Sequence, residues 1–171
     1  MQFKRQAGLT MVELMIVVVI AGILAAVAAP SFSSLINSMR QTSAMTQITG
    51  DLNRARGEAI KRNQRMLMCV RGNDTTCGAG TDWRNGWLVC YDEDQDGTCD
   101  ATSAANPNPI VVRPAINSSL TLTGSAAFIR FNPSGTQGAG GAATLQLGGT
   151  WSGATTITAS VAATGNISKT P

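Results

Sequence analysis

The feature that most constrains this chain is an apolar run near its start. From Leu14 to Ala29 every residue is apolar or small, and extending back to Leu9 gives 21 residues interrupted only by Thr10 and Glu13. As a helix rising about 1.5 Å per residue, the run spans roughly 30 Å, the thickness of one hydrocarbon core. Lys4 and Arg5 stand just before it and orient the N-terminus to the cytoplasm. An ordinary secretory signal, cleaved near Ala26-Val27-Ala28, also fits the basic leader and the apolar stretch. That alternative gives Glu13 no role, although a carboxylate inside a membrane segment is costly unless it finds a partner.

The stretch Gly8-Leu9-Thr10-Met11-Val12-Glu13-Leu14 resembles the processing site of type IV prepilins and type II secretion pseudopilins. The resemblance implies that a prepilin peptidase cuts between Gly8 and Leu9 and methylates the new terminal amine. Glu13 then becomes the fifth mature residue, where that family places its glutamate. The family usually begins its mature chain with Phe, and this chain offers Leu9. A free amine at Leu9 is a cation at the membrane edge, and the Glu13 carboxylate of a neighbouring subunit can neutralise it and set the axial register of assembly. The implied partners are other pilins or pseudopilins through this helix, the prepilin peptidase and the inner membrane. The chain is then a single-pass protein with its head in the periplasm until assembly.

Beyond Pro30, the residues Met45, Ile48, Leu52, Ala55 and Ala59 recur at spacings of three and four, which predicts an amphipathic helix. Asp51, Arg54, Glu58, Lys61, Arg62 and Arg65 fall on its other faces, with Glu58 and Arg62 spaced for an i,i+4 pair. One helix is expected from about Leu9 to Asn63. After Gln64 short apolar runs alternate with turn residues, predicting strands at 66–71, 86–91, 110–113, 120–123, 127–132, 143–147 and 155–162. Ile129 and Phe131 alternate with Arg130 and Asn132, as on a half-buried strand.

Three stretches of the head carry a second resemblance: residues 51–60 (DLNRARGEAI), 83–89 (WRNGWLV) and 129–135 (IRFNPSG). Together they resemble the successive signatures of the GspH/FimT minor pilins. The expected fold class is therefore α+β and pilin-like, one long N-terminal helix with a transmembrane first half, packed on an antiparallel β-sheet head. The expected organisation is a leader peptide at 1–8, a transmembrane or filament-core helix at 9–29, its amphipathic continuation at 30–63 and a globular head at 64–171.

Cys69, Cys77, Cys90 and Cys99 form an even set in an exported chain, which reads as two disulfides. A four-cysteine zinc site is the alternative, but separations of eight, thirteen and nine lack the close pairs such sites use. Three pairings are open, and Cys69 with Cys77 and Cys90 with Cys99 would each close a short loop between strand ends. Within the acidic stretch at 92–100, Asp92, Asp94, Asp96 and Asp100 with Gly97 and Thr98 reproduce the first half of a Ca2+ loop. The closing Glu is absent, since Ser103 stands there, and the other reading is a solvated acidic turn clipped by Cys90 and Cys99. No other cofactor is expected.

Trp83, Trp87 and Trp151 can serve as a stacking platform or as packing. Catalysis is not expected, because the chain has no His and its acidic pairs crowd into one loop. One branch of the resembling family binds DNA in natural transformation through a tail in which arginines follow a glycine. Here Asn166 follows Gly165, and Lys169 is the tail's charged side chain. DNA as a partner would therefore rest on Lys169 with Arg54, Arg56, Lys61, Arg62 and Arg65. Apart from Lys4 and Arg5, 11 Lys+Arg face 10 Asp+Glu, so the chain is no bulk polycation.

Overall fold

The computed structural model describes residues 10–103, 107–138 and 142–171, with the backbone alone at 27–31. The chain divides into two compact units, Met1–Ile36 and Asn37–Pro171. Helix α1 runs over Met11–Arg62, and Pro30 falls within it without ending it. Leu9, the expected start, lies outside the described residues. At the other end Asn63 takes a left-handed conformation (φ 54°), and the Gln64 N–H reaches the Ala59 carbonyl at 3.2 Å. Asn tolerates that geometry better than most residues, so it caps the helix.

The second unit holds the rest of α1 and eight strands: β1 Met66–Val70, β2 Trp87–Tyr91, β3 Val111–Val112, β4 Leu120–Gly124, β5 Phe128–Phe131, β6 Ala143–Gly149, β7 Ile157–Val161 and β8 Ile167–Thr170. They form two four-stranded antiparallel sheets, ordered β3-β2-β1-β5 and β4-β6-β7-β8. The first seven correspond to the predicted strands within a few residues. The eighth falls in a stretch the sequence presents as a tail: a short polar segment carries no alternation of its own, and only pairing with β7 makes it a strand.

The stripe Met45, Ile48, Leu52, Ala55 and Ala59 packs against inner-face residues of both sheets, among them Met66, Met68, Trp87, Val89, Phe131, Leu122, Leu145 and Val161. The alternate residues of β1 and β2 (Leu67, Cys69, Leu88 and Cys90) form a second buried cluster with Cys77, Cys99 and Phe128. Both strands are therefore buried along their whole length, and what covers their second face is a pair of disulfide-closed loops.

The pairing is Cys69–Cys77 and Cys90–Cys99, with sequence separations of 8 and 9. Sγ of Cys77 lies 3.6 Å from Sγ of Cys99, so the two bridges pack on each other. Loops this short contribute about 2.5 kcal/mol each in the chain-entropy account. All four sulfurs are bonded in disulfides, so none offers the thiolate that a zinc site requires.

Where β2 begins, Gly86 has φ 96°, and a Cβ there would lie 2.1 Å from the Arg113 carbonyl oxygen. Only glycine permits that approach. It lets the chain after β3 run close beside β2 and brings Arg113 to the helix.

Candidate functional site

The first candidate site is the start of α1. Thr10 precedes the first helical residue, and its Oγ1 accepts from the Glu13 N–H at 3.3 Å. In return Oε2 of Glu13 accepts from the Thr10 N–H and the Thr10 hydroxyl, each at 2.9 Å. Two otherwise unpaired backbone donors are thereby satisfied reciprocally, as in a capping box of the Thr-x-x-Glu pattern. The sequence signal for this role is the Thr-x-x-Glu spacing of Thr10 and Glu13 just before the apolar run. Gly8 and Leu9, the expected processing pair, lie outside the described residues. Past the cap the helix exposes Met11, Leu14, Ile16, Val17, Val19, Ile20 and Leu24. Among the described residues no helix is long and apolar enough to cross a membrane; the apolar run continues through 27–29, whose side chains are not described.

Within the head, the sequence pattern places Asp51 on a solvent-facing side of the helix. The structure corrects this: Asp51 is 3% exposed. Its Oδ2 accepts from the Trp87 indole N–H at 2.9 Å, and its two oxygens take Nε and Nη2 of Arg113 at 2.8 and 2.9 Å. A carboxylate can be buried here because a bidentate guanidinium and an indole N–H replace its water. Gln41 does similar work at the second sheet, donating to the Leu147 and Thr155 carbonyls at 2.9 and 2.6 Å. Trp83 and Trp87 are both fully buried, with Trp83 Nε1 donating to the Ala126 carbonyl, and Trp151 packs half-buried at the core's edge. The two fully buried indoles present no stacking face to a ligand.

The acidic loop after β2 is also less solvated than its composition suggests. Asp92 is fully buried, and its Oδ2 meets Arg130 Nε at 2.6 Å, the guanidinium also reaching the Gln95 carbonyl at 2.9 Å. Arg130 is 7% exposed, so β5 is not half-solvated as its alternation implies; the loop covers its outer face. The carboxylate oxygens of Asp92, Asp94 and Asp96 lie within 4.8 Å of one another. Each has a partner in the protein: Asp92 has Arg130, Asp94 takes the Asp96 N–H, and Asp96 takes the Thr98 N–H and hydroxyl. Asp100 turns back to the Glu93 N–H at 2.9 Å. The hydrogen bonds from Thr98 hold the Asp96 carboxyl below the usual carboxylate range. Arg130 thus already supplies the positive charge that a cation would bring to Asp92.

The basic residues named from the sequence are dispersed. Arg62 pairs with Glu58 at 2.7 Å and Arg65 with Glu93 at 3.6 Å. Arg56 Nε donates to the Gly135 carbonyl at 2.9 Å. Arg54 and Lys61 are exposed on α1, and Lys169 is exposed on β8.

The Arg62 guanidinium also lies 5.6 Å from the ring centre of Tyr91, the chain's single tyrosine. Burial holds the Tyr91 phenol above its ordinary range, and the Arg62 charge pulls it partly back. A raised folded value means that this contribution to stability is fully present below the unfolded tyrosine's pKa. It is lost as pH rises through the folded one. Phenolate absorbance of the native protein should therefore appear at higher pH than in denaturant, and Arg62→Ala should move it higher still. Superimposable native and denatured curves would contradict this account.

Compared with known proteins, residues 44–165 match the family model described as Type II transport protein GspH. The chain belongs to the GspH family. Residues 3–29 also match the prokaryotic N-terminal methylation motif, which marks a membrane-anchored pilin. This GspH-family chain thus joins the anchor signature of pilins to a head of the minor pilin and pseudopilin type. No curated protein matches it. Among solved structures it is similar to the type IV minor pilin FimU of Pseudomonas aeruginosa strain PAO1 in two crystal forms. The TM-score is 0.54 for each, at 18% and 17% identity, covering 76% of this chain and 87% and 92% of FimU. At that identity the likeness establishes the shared pilin fold.

Proposed function

We propose that this GspH-family protein is a minor subunit that assembles into, or at the tip of, a type IV pilus or type II secretion pseudopilus. It is held first in the inner membrane with its head in the periplasm. The observation that carries this reading is the methylation motif at 3–29, upstream of the GspH match at 44–165. In this reading, cleavage after Gly8 frees the Leu9 amine, and the Glu13 carboxylate of one subunit receives the amine of a neighbour. Its Oε2 is engaged by Thr10, and a carboxylate has capacity for further bonds. The head's work is contact rather than catalysis: its buried carboxylates are tied to Arg113 and Arg130.

A DNA-receptor role would rest on Arg54, Lys61 and Lys169. Three separate cations without interleaved aromatics give phosphate attraction but no base stacking.

The test is the N-terminus of the protein recovered from cells with and without prepilin peptidase. A methylated Leu9 start that depends on the peptidase is expected. A start at Ala29 in both would overturn the reading and make the chain a secreted soluble protein.

A further inference from the structure

The four cysteine sulfurs of the head converge. Cys69 stands on β1 and Cys90 on β2, and Cys77 and Cys99 come from the loops after those strands. The pairings Leu67↔Cys90 and Cys69↔Leu88 put the two strand cysteines on one face of the sheet, two residues out of register. Each loop returns its own cysteine over that face, and all four Sγ atoms lie within 4.8 Å of one another. Sγ of Cys77 and Sγ of Cys99, which belong to different bridges, are 3.6 Å apart.

Disulfide formation does not by itself require this convergence. A bridge needs only its own two cysteines within reach, so two bridges can stand anywhere on a sheet. Four sulfurs drawn from four segments into one cluster form the donor set of a tetrahedral thiolate site, where Zn–S bonds of about 2.3 Å set neighbouring sulfurs roughly 3.8 Å apart. The contact between Cys77 and Cys99 already fits that edge. The sequence lacks the closely spaced pairs of zinc motifs, but here neighbouring strands bring the ligands together instead. The surroundings also suit a buried ion. Cys69 and Cys90 are fully buried, and Leu67, Leu88 and Phe128 pack in the same cluster. Arg71 is bridged to Cys77 through the backbone, and its buried Nε has no acceptor among the described residues. That donor is available to the negative charge that four thiolates around one Zn2+ leave over.

We propose that, once its two bridges are reduced, the head holds one Zn2+ on Cys69, Cys77, Cys90 and Cys99. The reductant is a dithiol, which is oxidised as the bridge is reduced. Its thiolate attacks Cys77 or Cys99, the partly exposed cysteine of each bridge. The S–S bond breaks, and Cys69 or Cys90 leaves as a thiolate. The second thiol of the reductant then closes a cyclic disulfide and frees the attacked cysteine. Two such events give four cysteines, and Zn2+ displaces the protons they carry as thiols. The ion ties both loops over the second face of the first sheet, the work the bridges do in the oxidised head. This inference concerns the head alone and does not rest on the assembly reading.

The test uses the full chain in detergent, reduced under argon with a phosphine that is removed before metal is added. Co2+ is the probe: four thiolates give it strong visible bands and near-ultraviolet charge transfer, and Zn2+, the tighter binder, should displace it. The reduced chain should take one Co2+ with this spectrum, and the fully buried Trp83 and Trp87 should keep the emission of buried indoles. The oxidised chain should give no such bands. In the reduced chain Cys77→Ser should weaken binding at least about a hundredfold, the upper end of the loss when a group supporting a ligand is removed. If reduction alone exposes the tryptophans, Zn2+ should bury them again. Weak octahedral bands from the reduced chain would overturn the proposal. So would tetrahedral bands with the tryptophans left exposed, the mark of thiolates on an unfolded chain, or bands that Cys77→Ser leaves unchanged. None of these outcomes bears on processing at Gly8 or assembly through Glu13.

Discussion

Asp51→Ala is expected to destabilise the head by about 3 kcal/mol, seen as a lower denaturant midpoint with an unchanged slope. The magnitude follows from what is left behind. The Trp87 indole N–H, fully buried, loses its acceptor, and Arg113 loses both hydrogen bonds of its bidentate pair. An unsatisfied buried donor costs about 1–3 kcal/mol, and removing one partner of a buried ion pair about 3–5 kcal/mol. Arg113 is one-third exposed on its side chain, so water recovers part of its loss, which brings the sum toward the lower figure. Asp51→Asn separates the two terms, because it keeps an acceptor for Trp87 and removes the charge. It should fall between wild type and Asp51→Ala. A loss below about 1 kcal/mol for Asp51→Ala would show that Arg113 and Trp87 find other partners.

Replacing Glu13 is expected to leave membrane insertion intact and to reduce incorporation into filaments at least about tenfold, the equivalent of losing one partly desolvated ion pair. The structure gives Glu13 a role within its own chain, the cap on Thr10, so alanine removes that cap together with the charge proposed to meet a neighbour's amine. Glu13→Gln separates them. The amide oxygen still accepts from the Thr10 N–H, and Gln serves in capping boxes, yet it carries no charge for a neighbour's amine. If charge pairing governs assembly, both variants should fail in a filament-incorporation assay. Incorporation of Glu13→Gln at the wild-type level would assign Glu13 to the cap alone, without affecting the family assignment.

Much of the architecture was legible in the sequence because it is written in local periodicity. Met45, Ile48, Leu52, Ala55 and Ala59 are buried as their spacing predicts, and seven of the eight strands follow from apolar runs between turn residues. What was misread is polar. Asp51, Asp92 and Arg130 have the composition of surface residues, and no local pattern marks them as buried. Their partners stand 62 and 38 residues away in sequence, at Arg113 for Asp51 and across Asp92–Arg130. The capping box is the opposite case, a local signal at 10–13 that the conspicuous charge of Glu13 obscured.

By itself the sequence determined the apolar N-terminal run, the helix and its buried stripe, the succession of strands and the even cysteine set. Each depends on residues a few positions apart, whose spacing is fixed by the 3.6-residue and two-residue periods of the backbone. Only the tertiary structure decided which carboxylates are buried and that β8 is a strand. It also decided that two adjacent disulfides seal the second face of the first sheet. Those facts depend on which distant residues meet, and burial of a charge is tolerated only once its counter-charge has arrived from elsewhere in the chain.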